Sequence, residues 1–222
     1  MHLNPIEWTA RALRKVGNEL LKRNGIQGTW LDVGAHHGET TIGYARHNPG
    51  LQIFAFEPNL RAAVKLMGHA PNYMVVPMAV AEHDGSAHFH VNAYDEASSL
   101  LPLNEEAVKS WVGVDNHKVN FTITVPTIRL DTFLDLLEIQ TVDYLKVDTQ
   151  GMDLAVLKSA GTRLRDISKL TLEVGVAPQL LYEGAASKDE VMRFLGDSGF
   201  ALVGVAKQTH GQEENLTFVR KS

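Results

Sequence analysis

The sequence predicts an α/β fold built on a doubly wound, mostly parallel sheet. Between residues 29 and 76, short apolar runs typical of buried strands alternate with amphipathic segments typical of helices, and the same alternation returns between 130 and 174. The chain closes with two strand-like segments, 200–205 and 215–220, whose short connection favours antiparallel pairing. These observations predict a central sheet of seven strands, mostly parallel, with an antiparallel strand at the C-terminal end.

Most predicted strands of this sheet are short runs dominated by apolar residues, as expected when both faces of a strand are buried. Turn residues separate strands from helices; Asn48-Pro49-Gly50, for example, ends the helix that begins near Ile42. The predicted strands are 29–33, 51–56, 73–76, 142–148, 170–174, 200–205 and 215–220. The other predicted helices are 4–24, 60–68, 130–137, 152–160 and 188–196.

An insertion over residues 86–127 interrupts this alternation. It contains two further predicted strands, 87–91 and 121–125, on either side of a helical segment at 104–111. Because so long an insertion in a compact domain usually has a function, we interpret it as an acceptor-binding segment. A simple extension of the sheet and a dimer contact are the alternatives.

Composition excludes several classes of partner. The chain has 222 residues, a net charge of −5 and no cysteine. This length suits a single domain over 1–222, and the negative charge argues against nucleic acid or anionic lipid. The lack of cysteine excludes disulfides and thiolate metal sites, and it fits a cytoplasmic protein. No apolar stretch approaches the roughly 20 residues of a membrane span, and residues 1–23 lack the apolar core of a signal peptide.

The turn after the first predicted strand has the pattern Asp32-x-Gly34-x-x-x-Gly38 and leads directly into a helix. Glycine permits backbone conformations closed to other residues and lets a ligand approach closely, while free N–H groups at a helix start attract anions. Glu57 ends the next strand, 23 residues after Gly34, where an acid that binds a ribose diol is expected. The segment therefore predicts a site for a nucleotide-like cofactor.

The glycine spacing favours S-adenosylmethionine (SAM) over a nicotinamide dinucleotide. A dinucleotide needs the pattern G-x-G-x-x-G because its pyrophosphate lies almost on the backbone. Here Ala35, His36 and His37 separate the two glycines. SAM carries no phosphate, and nearby carboxylates suit its ammonium and sulfonium groups. We therefore expect SAM, with a NAD-dependent dehydrogenase as the alternative.

Four acids lie at the carboxyl ends of four predicted strands, and their positions outline one cleft. They are Asp32, Glu57, Asp148 and Glu173. Ligands of open parallel sheets bind beyond the carboxyl ends of the strands, near the point where the strand order reverses. Singly, each acid is as well explained as a helix cap or a solvated loop residue; together they predict a binding site.

Several motifs give the chain a resemblance to the FkbM-type family of SAM-dependent methyltransferases over most of 29–173. His36 and His37 replace the Asn and apolar residue usual in that family, and Gln150 stands where an acid is frequent. The resemblance implies a Rossmann-like class I methyltransferase fold and methylation of hydroxyls on sugars or other secondary metabolites. The motifs that carry it are 31–41, 55–59, 79–85, 98–99, 125–131 and 142–157.

By position in these motifs, Glu57 would bind the ribose hydroxyls, and Pro58 and Asn59 would flank the adenosine. Asp32 and the backbone amides from Gly34 to His36 would hold the methionine end of SAM. The full set of residues expected at the cofactor is Asp32, Gly34, Ala35, His36, Gly38, Thr40, Glu57, Pro58, Asn59, Ala79, Val80, Ala81, Ser98 and Asp148.

Two routes could activate the acceptor hydroxyl. Asp148 and Glu173, at the ends of neighbouring strands, could share a Mg²⁺ ion that lowers the pKa of the hydroxyl; alternatively Asp148 caps a helix and Glu173 is a loop acid. A histidine could instead act as general base, and His37 and His210 are the best placed, although both positions also suit surface histidines. Gln150 could orient the acceptor.

The leading hypothesis is a SAM-dependent O-methyltransferase acting on a saccharide or another polyhydroxylated small molecule. A NAD-dependent dehydrogenase and a non-catalytic SAM-binding protein are the alternatives, and a nucleic-acid methyltransferase is disfavoured by the net charge. The insertion and the N-terminal helix are the segments that could mediate a homodimer.

Overall fold

The computed structural model describes residues 28–112 and 117–221. The predicted helix at 4–24 lies outside the described residues. The strands, in chain order, are β1 (Gly28–Val33), β2 (Leu51–Phe56), β3 (Tyr73–Val76), β4 (Ala79–Val80), β5 (Gly85–Asn92), β6 (Val119–Ile128), β7 (Tyr144–Val147), β8 (Lys169–Gly175), β9 (Phe200–Gln208) and β10 (Glu213–Arg220). The helices are α1 (Ile42–His47), α2 (Leu60–Leu66), α3 (Glu105–Ser110), α4 (Leu130–Leu136), α5 (Asp153–Ser159) and α6 (Lys188–Asp197).

Seven strands form the central sheet in the order β3-β2-β1-β7-β8-β10-β9. All pairs from β3 to β8 are parallel, whereas β10 is antiparallel to both β8 and β9. The predicted seven-stranded, mostly parallel sheet is therefore confirmed. The final hairpin differs in detail: its ladder extends to Gln208 and Glu213, so the connecting loop is shorter than the polar sequence between the strands suggested.

The carboxyl ends of the inner strands lie level with one another. Val33 of β1 pairs with both Phe56 of β2 and Val147 of β7, and Val147 pairs in turn with Leu172 of β8. The residues that follow these pairs therefore emerge at one edge of the sheet. The strand order also reverses between β1 and β7, which is where open α/β sheets bind ligands.

Side chains of β2 alternate between two cores. Phe54 and Phe56 lie in the larger core with residues of α4, α5 and α6, whereas Ile53 and Ala55 pack with residues of α1 and α2. Every residue of β2 is buried, as expected for a strand covered by helices on both faces. Among the described residues, no helix is long and apolar enough to cross a bilayer.

Phe133 of α4 is the aromatic anchor of the larger core. Its ring packs edge-to-face against Phe54 and Phe56, with centroid distances of 5.2 and 4.7 Å. We expect Phe133→Ala to lower the free energy of unfolding by about 3–5 kcal/mol, because it leaves a cavity between helix and sheet. Urea unfolding measures the effect, with the exposed Leu60→Ala as a control expected to stay within about 0.5 kcal/mol. Equal stability of the two variants would contradict this packing.

The predicted strand and helix elements of the insertion are present. β5 and β6 pair antiparallel, α3 lies between them in sequence, and β4 adds to the end of β6 in parallel. The segment between β5 and β6 folds back towards the carboxyl edge of the central sheet. Ser99 Oγ donates a hydrogen bond to the Gln150 carbonyl, 2.7 Å away, and Leu103 bridges to Tyr182. The insertion thus covers the carboxyl edge of the central sheet.

Candidate functional site

A cavity of about 370 Å³ lies between the carboxyl edge of the sheet and the insertion. It brings together most residues predicted for the site. Those that line it are Gly34, Ala35, His36, Thr40, Glu57, Pro58, Asn59, Ala79, Val80, Ser98, Asp148, Gln150 and Glu173. The insertion contributes further walls through Tyr94, Asp95, Glu96, Ala97, Leu100 and Trp111.

Gly34 allows the turns after β1 and β7 to lie against each other. Its φ is +79°, and a Cβ atom there would lie 1.8 Å from the carbonyl oxygen of Asp148. The amides of Gly34 and Ala35 both donate to the Phe56 carbonyl, at 3.1 and 3.0 Å. The His36 amide donates to Glu57. The prediction that these amides hold the methionine end of SAM therefore needs correction, because protein acceptors already use all three.

Two backbone amides hold the Glu57 carboxylate in position at the cavity wall. The amides of His36 and Asn59 each donate to one carboxylate oxygen, both at 2.8 Å. Each oxygen keeps a second lone pair that can accept from a ligand hydroxyl. Burial is the main cause that raises the pKa of Glu57 to about 7, although the two amides and His36 oppose it. Asn59 also caps α2 by accepting from the Arg61 amide, which fixes the turn.

Asp32 does not line the cavity. Its carboxylate is buried beneath the turn, where it accepts hydrogen bonds from the hydroxyls of Thr41 and Tyr73 and lies 3.3 Å from the Lys146 ammonium. The predicted direct contact of this side chain with the cofactor is therefore a further correction. Asp32 acts on the site through Lys146, its partner in the β1–β7 register.

Lys146 is the cation that joins the turns after β1 and β7. Its ammonium lies 3.3 Å from Asp32 and 3.4 Å from Asp148, and it donates to the Gly34 carbonyl at 2.9 Å. Burial disfavours the charged form, but the two carboxylates outweigh it and raise the pKa of Lys146. The lysine therefore stays charged and holds both turns in place. Sequence reasoning missed it, although a lysine within an apolar central strand was a usable signal.

A network of amide and carboxylate groups forms another part of the cavity wall. The side-chain amide of Gln150 donates to Asp148 Oδ1 at 2.9 Å and to Glu173 Oε2 at 3.1 Å. The Tyr182 hydroxyl lies 2.9 Å from Gln150 Oε1. Gln150 itself has a φ of +56°, so the turn holds it in a conformation uncommon for a non-glycine residue. The network fixes the Asp148 carboxylate at the cavity wall.

Burial and mutual repulsion change the charge of this wall. The pKa of Glu173 is raised to about 9, mainly by burial and then by the charges of Asp148 and Glu213. Burial likewise raises the pKa of Glu213, and it raises that of Asp153, next to the cavity, to about 7. Glu173 therefore holds a proton at neutral pH and does not suit the role of general base. Glu213 was missed because its position fell in a predicted loop.

The predicted Mg²⁺ ligands meet, but a protein group already joins them. The oxygen donors of Asp148 and Glu173 suit a hard cation. However, the Gln150 amide nitrogen lies within hydrogen-bond distance of both carboxylates, and an N–H donor does not coordinate a cation. The residues as arranged therefore do not fit a shared Mg²⁺ ion.

Neither predicted catalytic histidine lines the cavity. His37 stacks on His36, with ring centroids 3.8 Å apart, and its Nε2 lies 3.3 Å from the Lys65 ammonium. His210 is exposed, with a φ of +56°, in the loop between β9 and β10. Its neighbour Thr209 lines the cavity in its place. Because both histidines lie outside the cavity lining, neither suits its predicted role as general base.

Gly38 and Ala81 also lie outside the cavity lining. A Cβ atom on Gly38 would lie 2.4 Å from the Ile42 side chain, so this glycine, with a φ of +74°, serves the packing of the turn on α1. The Ala81 amide donates to the Ile128 carbonyl and ties β4 to β6. Both residues therefore lie behind the cavity wall and not in its lining.

Comparison with known proteins identifies the family. The sequence profile of the methyltransferase FkbM domain matches residues 32–202. The 2-O-methyltransferase NoeI of Sinorhizobium fredii (strain NBRC 101917 / NGR234) is 27% identical over 165 residues, covering 69% of this chain and 65% of that protein. The alignment therefore spans slightly less than two thirds of that relative.

Solved structures resemble the chain at low sequence identity. A chain of a fibrillarin/Nop5p complex has a TM-score of 0.51 at 14% identity, covering 97% of this chain and 83% of that chain. Precorrin-6y C5,15-methyltransferase from Geobacter metallireducens GS-15 has a TM-score of 0.49 at 15% identity, covering 94% and 87%. The mostly parallel seven-stranded sheet, with an antiparallel strand at its C-terminal end, has the predicted Rossmann-like topology. With this fold and a profile match over most of its length, the chain belongs to the FkbM family of methyltransferases.

Proposed function

We propose that the chain transfers a methyl group from SAM to a hydroxyl of a saccharide or another polyhydroxylated small molecule. One observation carries this proposal: a single cavity holds the Glu57 carboxylate on one wall and the Asp148–Gln150–Glu173 network on another. Membership in the FkbM family supports methyl transfer, and the 2-O-methyltransferase relative supports oxygen as the acceptor atom.

The cofactor would occupy the side of the cavity formed by the turns after β1 and β2. Glu57 would accept hydrogen bonds from the ribose hydroxyls through the lone pairs that the backbone amides leave free. Val80, with Met78 and Ala79, offers an apolar surface for the adenine. The sulfonium would then face the carboxylates beyond β7, which stabilise its positive charge.

The acceptor would lie against the Asp148–Gln150 network under the insertion. Methyl transfer is an in-line displacement: the acceptor oxygen forms a bond to the methyl carbon as the bond from that carbon to sulfur breaks. We assign the departing hydroxyl proton to the Asp148 carboxylate, which Gln150 and Lys146 hold in place. Most of the rate enhancement would come from positioning the two reactants.

A Mg²⁺ ion that activates the acceptor is the alternative mechanism, and the present arrangement of Asp148, Gln150 and Glu173 does not favour it. It requires the Gln150 amide to leave the space between Asp148 and Glu173. Restoring activity to EDTA-treated protein with Mg²⁺ but not with other divalent ions would support it. Full activity in EDTA would remove it.

Gln150→Leu tests the role of the network. We expect turnover with a saturating acceptor to fall about 10- to 100-fold, because Asp148 loses the amide that orients it. SAM affinity should change less than threefold, since Gln150 is assigned to the acceptor. Steady-state kinetics and calorimetry measure the two effects, with the exposed Gln140→Leu as the matched control. Loss of SAM binding with intact turnover per bound cofactor would contradict the assignment.

Two experiments test the proposal. Calorimetry measures the binding of SAM, S-adenosylhomocysteine and NAD, and a screen of hydroxyl acceptors then measures the release of S-adenosylhomocysteine. We expect SAM and its product to bind, NAD not to bind, and neutral saccharides to be methylated. Binding of NAD alone would favour a dehydrogenase. Binding of SAM without turnover on any acceptor would favour a non-catalytic SAM-binding protein.

A further inference from the structure

We propose that His36, His37 and Asp95 form a binding site for a divalent transition-metal ion, of which Zn²⁺ is the best match, at the mouth of the cavity. The ligand atoms of these three residues all lie within 4.8 Å of one another. The site goes beyond the proposed methyl transfer, which rests on Glu57 and Asp148 and uses none of these three side chains.

The spacing of the donors suits tetrahedral coordination. Metal–ligand distances of about 2.0–2.1 Å place two donors of a tetrahedral zinc site about 3.4 Å apart. The His36 Nε2 atom lies 3.4 Å from Asp95 Oδ1. The His37 ring, stacked on the His36 ring at 3.8 Å, brings a second imidazole to the same place. Two imidazoles and one carboxylate favour zinc-like ions over Mg²⁺ or Ca²⁺.

The proposed site would give the buried Nε2 atom of His36, which lies beside the Asp95 carboxylate, a coordination bond. This atom has no hydrogen-bond partner among the described residues. A buried polar nitrogen without a hydrogen bond is costly, and a metal–ligand bond would offset that cost. The buried position of the Nε2 atom beside a carboxylate is what separates this cluster from ordinary surface histidines.

Glu39 and Lys65 lie next to the proposed ligands and should have opposite effects on metal affinity. Glu39 Oε1 lies 3.4 Å from the Nδ1 atom of His36 and 3.6 Å from that of His37, where a carboxylate orients imidazole ligands and raises their basicity. The Lys65 ammonium lies 3.3 Å from His37 Nε2 and would repel a bound cation, so it must leave this position for His37 to coordinate through Nε2. Lys65 should therefore weaken metal binding, and its removal should strengthen it.

The ligands come from two separate parts of the chain. His36 and His37 belong to the turn after β1, whereas Asp95 begins the 3₁₀ turn Asp95–Ala97 of the insertion. A bound ion would tie the insertion to the cofactor turn across the cavity mouth. It would thus slow exchange of whatever occupies the cavity.

Metal binding to the chelator-treated full chain tests this proposal without any activity assay. We expect one Zn²⁺ ion per chain by calorimetry, and visible absorption typical of tetrahedral coordination when Co²⁺ replaces it. His37→Asn and Asp95→Asn should each weaken Zn²⁺ binding at least 100-fold, and Lys65→Met should strengthen it. His210→Asn, which alters an exposed histidine outside the cluster, should change nothing.

Circular dichroism of each variant separates loss of the site from loss of the fold. If the folded wild-type chain binds Zn²⁺ no more tightly than the folded double variant H37N/D95N, the proposal is wrong. Equal weakening by His210→Asn would also overturn it. Absence of methyl transfer in a chain that binds Zn²⁺ through this cluster would contradict the proposed function and leave the metal site intact.

Discussion

Lys146→Met should lower the free energy of unfolding by about 3–5 kcal/mol, because it leaves two carboxylates without their shared cation. Asp32 is almost fully buried, and Lys146 is its charge partner in β7. The variant also removes the donor to the Gly34 carbonyl, so we expect SAM binding to be lost along with stability. Urea unfolding and calorimetry with SAM measure the two effects.

A second substitution shows whether the stability lost in Lys146→Met comes from the uncompensated Asp32 charge or from the changed side-chain shape. Asp32→Asn in the Lys146→Met background removes the buried charge that the first change exposes, and it should recover part of the lost stability. Lys158→Met, an exposed lysine of α5, serves as the matched control and should be near neutral. If Lys146→Met were as stable as Lys158→Met, the lysine would not hold the two turns together.

Glu57→Ala should weaken SAM binding about 100-fold or more, because it removes the acceptor assigned to both ribose hydroxyls. Hydrogen bonds to a charged group are worth about 1.5–3 kcal/mol each, and 1.4 kcal/mol corresponds to a factor of ten in affinity. Glu57→Gln should weaken SAM binding almost as much, because its NH₂ group would face one of the amide donors of His36 and Asn59. Glu106→Gln on exposed α3 is the control, and unchanged affinity in Glu57→Ala would refute the assignment.

The pH dependence of SAM binding provides an independent test of Glu57. Its raised pKa of about 7 means that the free protein loses the carboxylate as the pH falls through neutrality. Because ribose hydroxyls require the ionised form as a double acceptor, affinity should fall by up to about tenfold per pH unit below pH 7. Calorimetry at pH 8 and pH 6 measures this change. Glu57→Gln should show a flatter profile, and an unchanged slope would assign the effect to another group.

Most of the fold could be predicted from the sequence because the strands of the central sheet are buried on both faces. Runs such as Leu51–Phe56 are apolar apart from Gln52 and are too short for a typical helix, which favours a strand. The limits of the last hairpin were less accurate, since polar residues such as Lys207 and Glu214 continue the ladder at the sheet edge. There, one face meets solvent and apolar periodicity no longer marks the strand.

The walls of the cavity were predictable to the extent that strand ends fix them. Glu57 and Asp148 directly follow β2 and β7, and Glu173 follows Leu172, the β8 residue paired with Val147. Their convergence therefore follows from topology alone. Asp32 was correctly placed in the first strand, but its position near the strand end did not reveal which way its side chain points. Its side chain points below the turn, where only the register with Lys146 could have revealed its partner.

Which backbone amides remain free could not be predicted from the sequence. The glycine turn after β1 suggested an anion site, but the carbonyl of Phe56 and the carboxylate of Glu57 take its amides. Such pairing depends on how neighbouring turns fold over each other, which the spacing of glycines does not encode. The same reason explains why Gln150 was assigned to the acceptor without the bridge that it makes between Asp148 and Glu173.

A crystal structure of the chain with S-adenosylhomocysteine tests most directly whether the acidic strand ends form one site for donor and acceptor. We expect the ribose hydroxyls on the Glu57 carboxylate and the sulfur directed towards Asp148 and Gln150, with open space beneath the insertion for an alcohol. S-adenosylhomocysteine bound elsewhere, or with its sulfur directed away from Asp148, would contradict the account.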